Sequence, residues 1–240
     1  MKVPYRLIPE IERRLSAWNE WATRQSQAKA APRPCVTISR EFGCQAYPLA
    51  EALHARLNAG AKTGAEWTVL DRLLLEKIAQ KSGYAKAELE YITQVDPTFQ
   101  SMLTTFMGRE HADPFEVFFY IKKTVRYFAK AGNSIIVGRG GVCLTQDLPQ
   151  VLHVRLTAPM AFKLKTIMAY MGNTKEEARE HIEARQAERD EFTRHFTKMD
   201  LSDPHLYHLL INNEKFTVTE MTDIITERLG GLVANRPADT

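Results

Sequence analysis

Arg40, Asp71, Arg139, Arg185 and Arg189 are charged residues set where the surrounding pattern is apolar or glycine-rich. Arg40 follows the apolar run CVTIS (35–39) and opens the turn REFGCQAY (40–47), which leads into the helical pattern PLAEALHARLNA (48–59). A strand, a short turn and a helix in that order can offer free backbone amides and the positive end of a helix dipole to an anion. Here the turn brings Ser39, Gly43, Cys44, Gln45, Ala46 and Tyr47 to that position. A loop built to cradle nucleotide phosphates adds glycines, a lysine for the β- and γ-phosphates and a Ser or Thr for magnesium. This turn has one glycine, and Tyr47 and Pro48 stand where the lysine and the hydroxyl would be. Pro48 also removes an amide. By spacing alone, a plain strand-to-helix turn accounts for the stretch.

Other segments add candidate groups. SIIVGRGG sets Arg139 at the end of an apolar strand pattern, between Gly138 and Gly140. Glycines admit a ligand close to the backbone, and a guanidinium can fork onto a phosphate. A tight turn with a solvated arginine is the plainer reading. Asp71 ends the pattern WTVL, where an N-cap is the plainer role. In TKEEAREHIEARQAERDEFTRHFTK a helical stripe runs Ala178, Ile182, Arg185, Arg189, Phe192, Phe196. Arginine is rarely buried without a partner. Either carboxylates meet Arg185 and Arg189, or that stretch faces a cleft for an anionic ligand. Glu176, Glu180 and Glu188 lie on a neighbouring, solvated stripe. Cys44 sits at a helix N-terminus, where a thiol can titrate low and sense redox state; a small loop residue in place of serine explains it as well.

The elements that must hold these groups alternate. Strand patterns at 35–39, 67–70, 134–138, 151–158 and 207–212 are separated by helical ones, with a break at Gly172-Asn173 and a last helix at 218–230. Alternation of that kind predicts a parallel sheet covered on both faces. In such a sheet ligands sit beyond the carboxyl ends of the strands, which is where Arg40, Asp71 and Arg139 fall. Residues 1–34 read as a helical extension (Leu7, Ile11, Leu15, Trp18) and a proline-containing linker, packed on the main domain or on a partner. The main domain spans 35–232, with a helical insert at 85–131, a long helix at 174–197 and a disordered tail at 233–240.

Composition narrows the classes. The 240 residues carry 32 basic and 29 acidic side chains, net +3, with 44% hydrophobic and 25% charged content. That is ordinary for a soluble globular chain and too mild to argue nucleic-acid binding from charge. Three scattered cysteines make no zinc pattern and suit a reducing, cytoplasmic setting. The N-terminus reads as no secretory leader, and no apolar run approaches membrane-spanning length.

Taken in order, VTISREFG, VLDRLLLEKIA, SIIVGRGG, VLHVRLTAP and RQAERDEFTRHF…DPHLYHLLINNEKFTVTEMTDII resemble the cytidylate kinase-like family, a branch of the P-loop nucleoside monophosphate kinases, over residues 35–230. The resemblance implies a three-layer P-loop NTPase-like α/β fold. It also implies phosphoryl transfer from ATP, with magnesium, to a nucleotide such as CMP. Carried over by position, loop 40–47 holds the donor phosphates, Asp71 lies near the acceptor and Arg139 grips its phosphate. Arg185 and Arg189 belong to a mobile lid, and the insert 85–131 forms the acceptor lobe. Relatives usually read REFGSGGRE where this chain has REFGCQAYP. Side chains at Gln45 and Ala46 then crowd a phosphate and Tyr47 cannot neutralise one, so Arg40 is the expected substitute cation.

Two functions follow as expectations: an ATP-dependent kinase acting on a nucleoside monophosphate or similar small acceptor, or a catalytically silent nucleotide- or anion-binding regulatory protein on the same fold. In both the partners are small nucleotides, not nucleic acid or membrane, with a homodimer considered as the assembly. No residue of the loop is an evident metal ligand.

Overall fold

The computed structural model describes residues 33–59, 66–71, 114–138 and 140–234. The N-terminal extension up to residue 32, most of the helical insert, Arg139 and the residues after Ala234 lie outside the described residues; the first two residues of the expected tail, 233 and 234, instead end the last helix.

Among the described residues, five parallel strands form one sheet in the order β2-β3-β1-β4-β5. β1 (Cys35–Arg40) is central. It pairs with β3 (Ser134–Val137) on one side and β4 (Val151–Thr157) on the other. β2 (Thr68–Leu70) lies outside β3, and β5 (Leu209–Asn212) outside β4. Parallel strands need crossover helices, so both faces of the sheet are covered. That is why the central strands read as near-continuous apolar runs rather than as alternating ones.

Alternate residues of β1 serve two cores. Val36 and Ile38 pack with Leu49 and Leu53 of α1 (Ala46–Asn58) and with Met221 and Ile225 of α6 (Val218–Ala234). On the other face Cys35 and Ile136 meet Ile121, Val125 and Phe128 of α2 (Pro114–Ala131) and Leu144 of the short α3 (Gly141–Leu144). A third cluster joins α4 (Met160–Met171) to α5 (Lys175–Thr197) through Leu164, Ile167, Ala178 and Ile182. Gly172 closes α4 in the left-handed conformation, with φ of 68°, which glycine adopts without strain. Thr174 then opens α5 with a reciprocal capping box to Glu177. The two helices part at the Gly172-Asn173 break expected from the sequence, and their packing on each other makes them a hairpin.

The three-layer α/β fold is the one expected from the alternation. One boundary differs in a way that matters. α1 begins at Ala46, so Ala46 and Tyr47 belong to its first turn and the connecting loop is only 41–45. Pro48 sits inside that first turn, where its missing amide has no helical partner to lose.

Candidate functional site

The carboxyl end of β1 carries Arg40, and the next five residues are held from three directions. Glu41 Oε2 accepts from Lys163 Nζ of α4 at 2.9 Å and from the Ala158 amide at 3.3 Å. The Phe42 amide donates to Gln186 Oε1 of α5 at 2.8 Å. The Gln45 amide donates to Asn213 Oδ1, just beyond β5, at 2.6 Å, and Asn213 Nδ2 returns a bond to Gln45 Oε1 at 3.3 Å. Within the loop, the Cys44 amide meets the Glu41 carbonyl at 3.3 Å and the Ala46 amide the Cys44 carbonyl at 3.0 Å. Four amides that could have faced a phosphate, those of residues 42, 44, 45 and 46, therefore bond within the protein.

This changes the reason the loop departs from an open cradle. Crowding by side chains was expected at Gln45 and Ala46. Instead, the Gln45 carboxamide is turned onto Asn213, and Ala46, the first residue of α1, is buried in the core. What closes the loop is the capture of its backbone amides. Gly43, at φ of 95°, is needed because α4 lies against it: a Cβ there would stand 2.9 Å from Lys163 Cβ.

Positive charge gathers around this loop. Arg189 of α5 lies over the Phe42 ring, 4.8 Å from guanidinium carbon to centroid. Its Nη1 is buried and has no hydrogen-bond partner among the described residues. Burial, and then the charge of Arg40, hold this guanidinium down to about 10. Arg40 lies over the Tyr47 ring at 5.6 Å and against the α-carbon of Gly138, where any side chain would collide with its Nη1. The close approach that Gly138 permits is thus taken by Arg40. Among the described residues no carboxylate forms an ion pair with either arginine. Arg189 is thus desolvated beside a second cation, with the Asp190 charge near it but not ion-paired to it, and a bound anion would supply a direct partner.

Two further cations come from outside the loop. Lys163 reaches it from α4, its side chain 13% exposed. Arg155, in the middle of β4 and 5% exposed, donates from Nη1 to the Tyr207 hydroxyl at 3.2 Å. Tyr207 in turn donates to the Leu201 carbonyl at 2.8 Å, and Ser39 also hydrogen-bonds to Tyr207. Burial, and then the Glu41 charge, push the Cys44 thiol up to about 12, against the opposing pull of Lys163 and Arg155. A redox role that depends on a low thiol pKa has no support here.

The expected residues divide accordingly. The structure brings Arg40, Gly43, Cys44, Gln45, Tyr47, Gly138 and Arg189 together, with Ser39 buried beneath. Gly140 is the left-handed N-cap of α3, and Asp71 is buried at the end of β2, beside the end of β3. Arg139 lies outside the described residues. Arg185 does not join the group: it is half exposed and pairs with Glu188 at 2.7 Å. The inward stripe of α5 runs through Ala178, Ile182, Gln186, Arg189 and Thr193, with Phe192 and Phe196 packed on Phe118 of α2. From Ile182 a period of 3.6 allows a step of three or four, and packing selects four.

The sequence reading missed Arg155, Lys163, Gln186 and Asn213. Arg155 had a signal, a cation inside the apolar run VLHVRLT. Lys163 and Asn213 had none, because they meet loop residues 122 and 168 positions away.

The profile of the Cytidylate kinase-like family matches residues 35–215. No curated protein matches the chain. The crystal structure of an uncharacterized protein from Eubacterium ventriosum has 19% sequence identity and a TM-score of 0.60, covering 83% of this chain and 99% of that one. That likeness shows the shared fold. The crystal structure of TT1252 from Thermus thermophilus covers the same shares at 14% identity, with a TM-score of 0.38.

Proposed function

Because the chain belongs to the cytidylate kinase-like family, we propose that it is a nucleotide kinase, moving a phosphoryl group from ATP to a nucleoside monophosphate or a similar small acceptor. The observation that carries this reading is the buried, unpartnered Nη1 of Arg189 beside Arg40, at the carboxyl ends of parallel strands. Phosphoryl transfer asks little covalent chemistry of the protein; it needs groups positioned and charge neutralised. Arg40 and Arg189 neutralise the transferred phosphate and those next to it. Arg155 adds to the field from below. Asp71, at the end of β2, and Arg139, next to Gly138 in the sequence, serve the acceptor. Among the described residues no three His, Cys, Asp or Glu side chains stand ready to hold a metal. Magnesium enters with the phosphates of its nucleotide, as is usual for that ion.

The test is magnesium-dependent ATP turnover by the full chain against a panel of nucleoside monophosphates, CMP first, with product identified by mass. Phosphorylation of one acceptor, lost in Arg189→Ala, supports the reading.

A second reading, a catalytically silent nucleotide- or anion-binding protein, is favoured by one observation. The loop amides of residues 42, 44, 45 and 46 are already bonded within the protein. Binding of ATP or phosphate with no acceptor phosphorylated selects it. Absence of binding as well sinks both. In either reading the partners are small nucleotides and the setting is the cytoplasm, which three free cysteines suit. No described helix is long and apolar enough to cross a membrane.

A further inference from the structure

Gln186 and Arg189 lie on the same face of α5, and both engage Phe42. Gln186 Oε1 takes the backbone amide at 2.8 Å, while the Arg189 guanidinium covers the ring at 4.8 Å. The Phe42 side chain enters the apolar seam between α4 and α5, packed against the cluster of Leu164, Ile167, Ala178 and Ile182 and edge-on to His181 at 5.2 Å. The same carboxamide donates through Nε2 to Asp190 Oδ1 at 2.9 Å, which orients its oxygen toward the loop. A neutral oxygen thus occupies the amide of the residue whose ring the Arg189 guanidinium covers.

We propose that Gln186 is a placeholder for a phosphate oxygen. Its carboxamide competes with a phosphate-bearing ligand for the Phe42 amide, so that filling the Arg40/Arg189 site releases Gln186 and couples ligand entry to the position of α5. This rests on the reading of that site as a phosphate site. A backbone amide bonds more strongly to an anionic oxygen than to a neutral one, so a phosphate displaces the carboxamide. Asn213 plays a different part: it is 2% exposed and makes a reciprocal pair with Gln45, which fixes the loop rather than guarding it.

The probe is inorganic tripolyphosphate, titrated calorimetrically into the full natural chain and into three variants. Gln186→Ala removes the competitor and leaves the amide open, and affinity rises by about fivefold, the worth of one neutral hydrogen bond. Gln186→Glu places an anionic oxygen beside Arg189, and affinity falls by roughly tenfold. Arg189→Ala loses affinity through loss of the cation. Opposite signs for the Ala and Glu variants, with the Phe42 amide resonance shifting on titration, are the expected result; a purely structural glutamine would weaken binding in both. Weaker or unchanged binding by Gln186→Ala, alongside loss in Arg189→Ala, overturns the placeholder and leaves the phosphate site standing. Full-strength binding by Arg189→Ala sinks the phosphate site instead. No binding by the natural chain or by Gln186→Ala overturns both.

Discussion

Arg189 covers the ring of Phe42 with one nitrogen buried and unpartnered among the described residues. In the ligand-free protein that arrangement costs stability, since a buried donor without an acceptor is unfavourable by about 1–3 kcal/mol. Replacing Arg189 with methionine keeps much of the packing and removes the donor. The urea midpoint of the ligand-free protein is expected to rise, while affinity for inorganic phosphate falls by tenfold or more, roughly the worth of a charged hydrogen bond. Arg179→Ala, which removes an exposed residue 3.8 Å from Glu183, should change neither quantity beyond twofold in affinity. A lower midpoint for Arg189→Met would show that the guanidinium stabilises the fold and is not held in reserve for a ligand.

Lys163 and Glu41 form a largely buried pair, their side chains 13% and 25% exposed. Lys163→Met strands the carboxylate, which keeps the Ala158 amide as a partner, and a loss of about 1–3 kcal/mol in unfolding free energy is expected. Glu41→Gln in the same chain should recover most of it, because the neutral amide still accepts from Ala158. A double-mutant cycle by urea denaturation measures the coupling. Additive losses would mean that the pair is no more than adjacent charges.

The loop sets a ceiling on turnover. Without a loop lysine or hydroxyl, the natural protein is expected to run about 100- to 1000-fold below a kinase that has them, the usual effect of losing one well-placed contact to a developing anion. Tyr47→Lys with Pro48→Ser supplies both groups in the first turn of α1. The new lysine also stands beside Arg40, which now lies 5.6 Å over the tyrosine ring. The variant should therefore melt at lower temperature alone, gain more from added magnesium-ATP than the natural chain, and turn it over faster. If the natural protein proves fast and Arg40→Ala abolishes it, Arg40 is the working cation and the loop is an alternative design.

His153 gives the fold a pH dependence. The ring is buried, its Nδ1 is 2.8 Å from Thr37 Oγ1, and it stacks on His208 with centroids 5.1 Å apart. Burial, and then the His208 charge, push it from 6.5 down to about 4. A histidine depressed in the folded state binds its proton more tightly when unfolded. Its contribution is fully present above pH 6.5 and is lost as pH falls toward about 4. The loss reaches on the order of 3 kcal/mol. Chemical denaturation at several pH values should show it, and His153→Gln should flatten that window. An equal slope in the variant would assign the acid sensitivity to other groups.

Much of this could be read from local pattern. The apolar runs at 35–39, 134–138 and 151–158 predicted strands, because strands buried on both faces read as short continuous apolar runs, and the break at Gly172-Asn173 predicted the separation of α4 from α5. Arg40 and Arg189 were also visible, as cations at positions the pattern assigns to a strand end and a buried helix face. Arg185 was not separable from Gln186. Both satisfy the helical period from Ile182, and only the packing of α5 against α4 and α2 turns one inward and leaves the other paired with Glu188.

By itself, then, the sequence determined the order of strands and helices, the parallel sheet that follows from it, and the absence of a lysine at the turn after β1. The tertiary structure decided how that turn is held. Lys163, Gln186 and Asn213 come from α4, from α5 and from the residue after β5 to occupy a carboxylate and two amides of a five-residue loop. Secondary structure is governed by interactions within a few residues, which leave a period in the sequence. A contact between residues 122, 144 or 168 positions apart leaves none. Its existence depends on how the crossovers stack the strands, and that is settled only when the whole sheet closes around its cores.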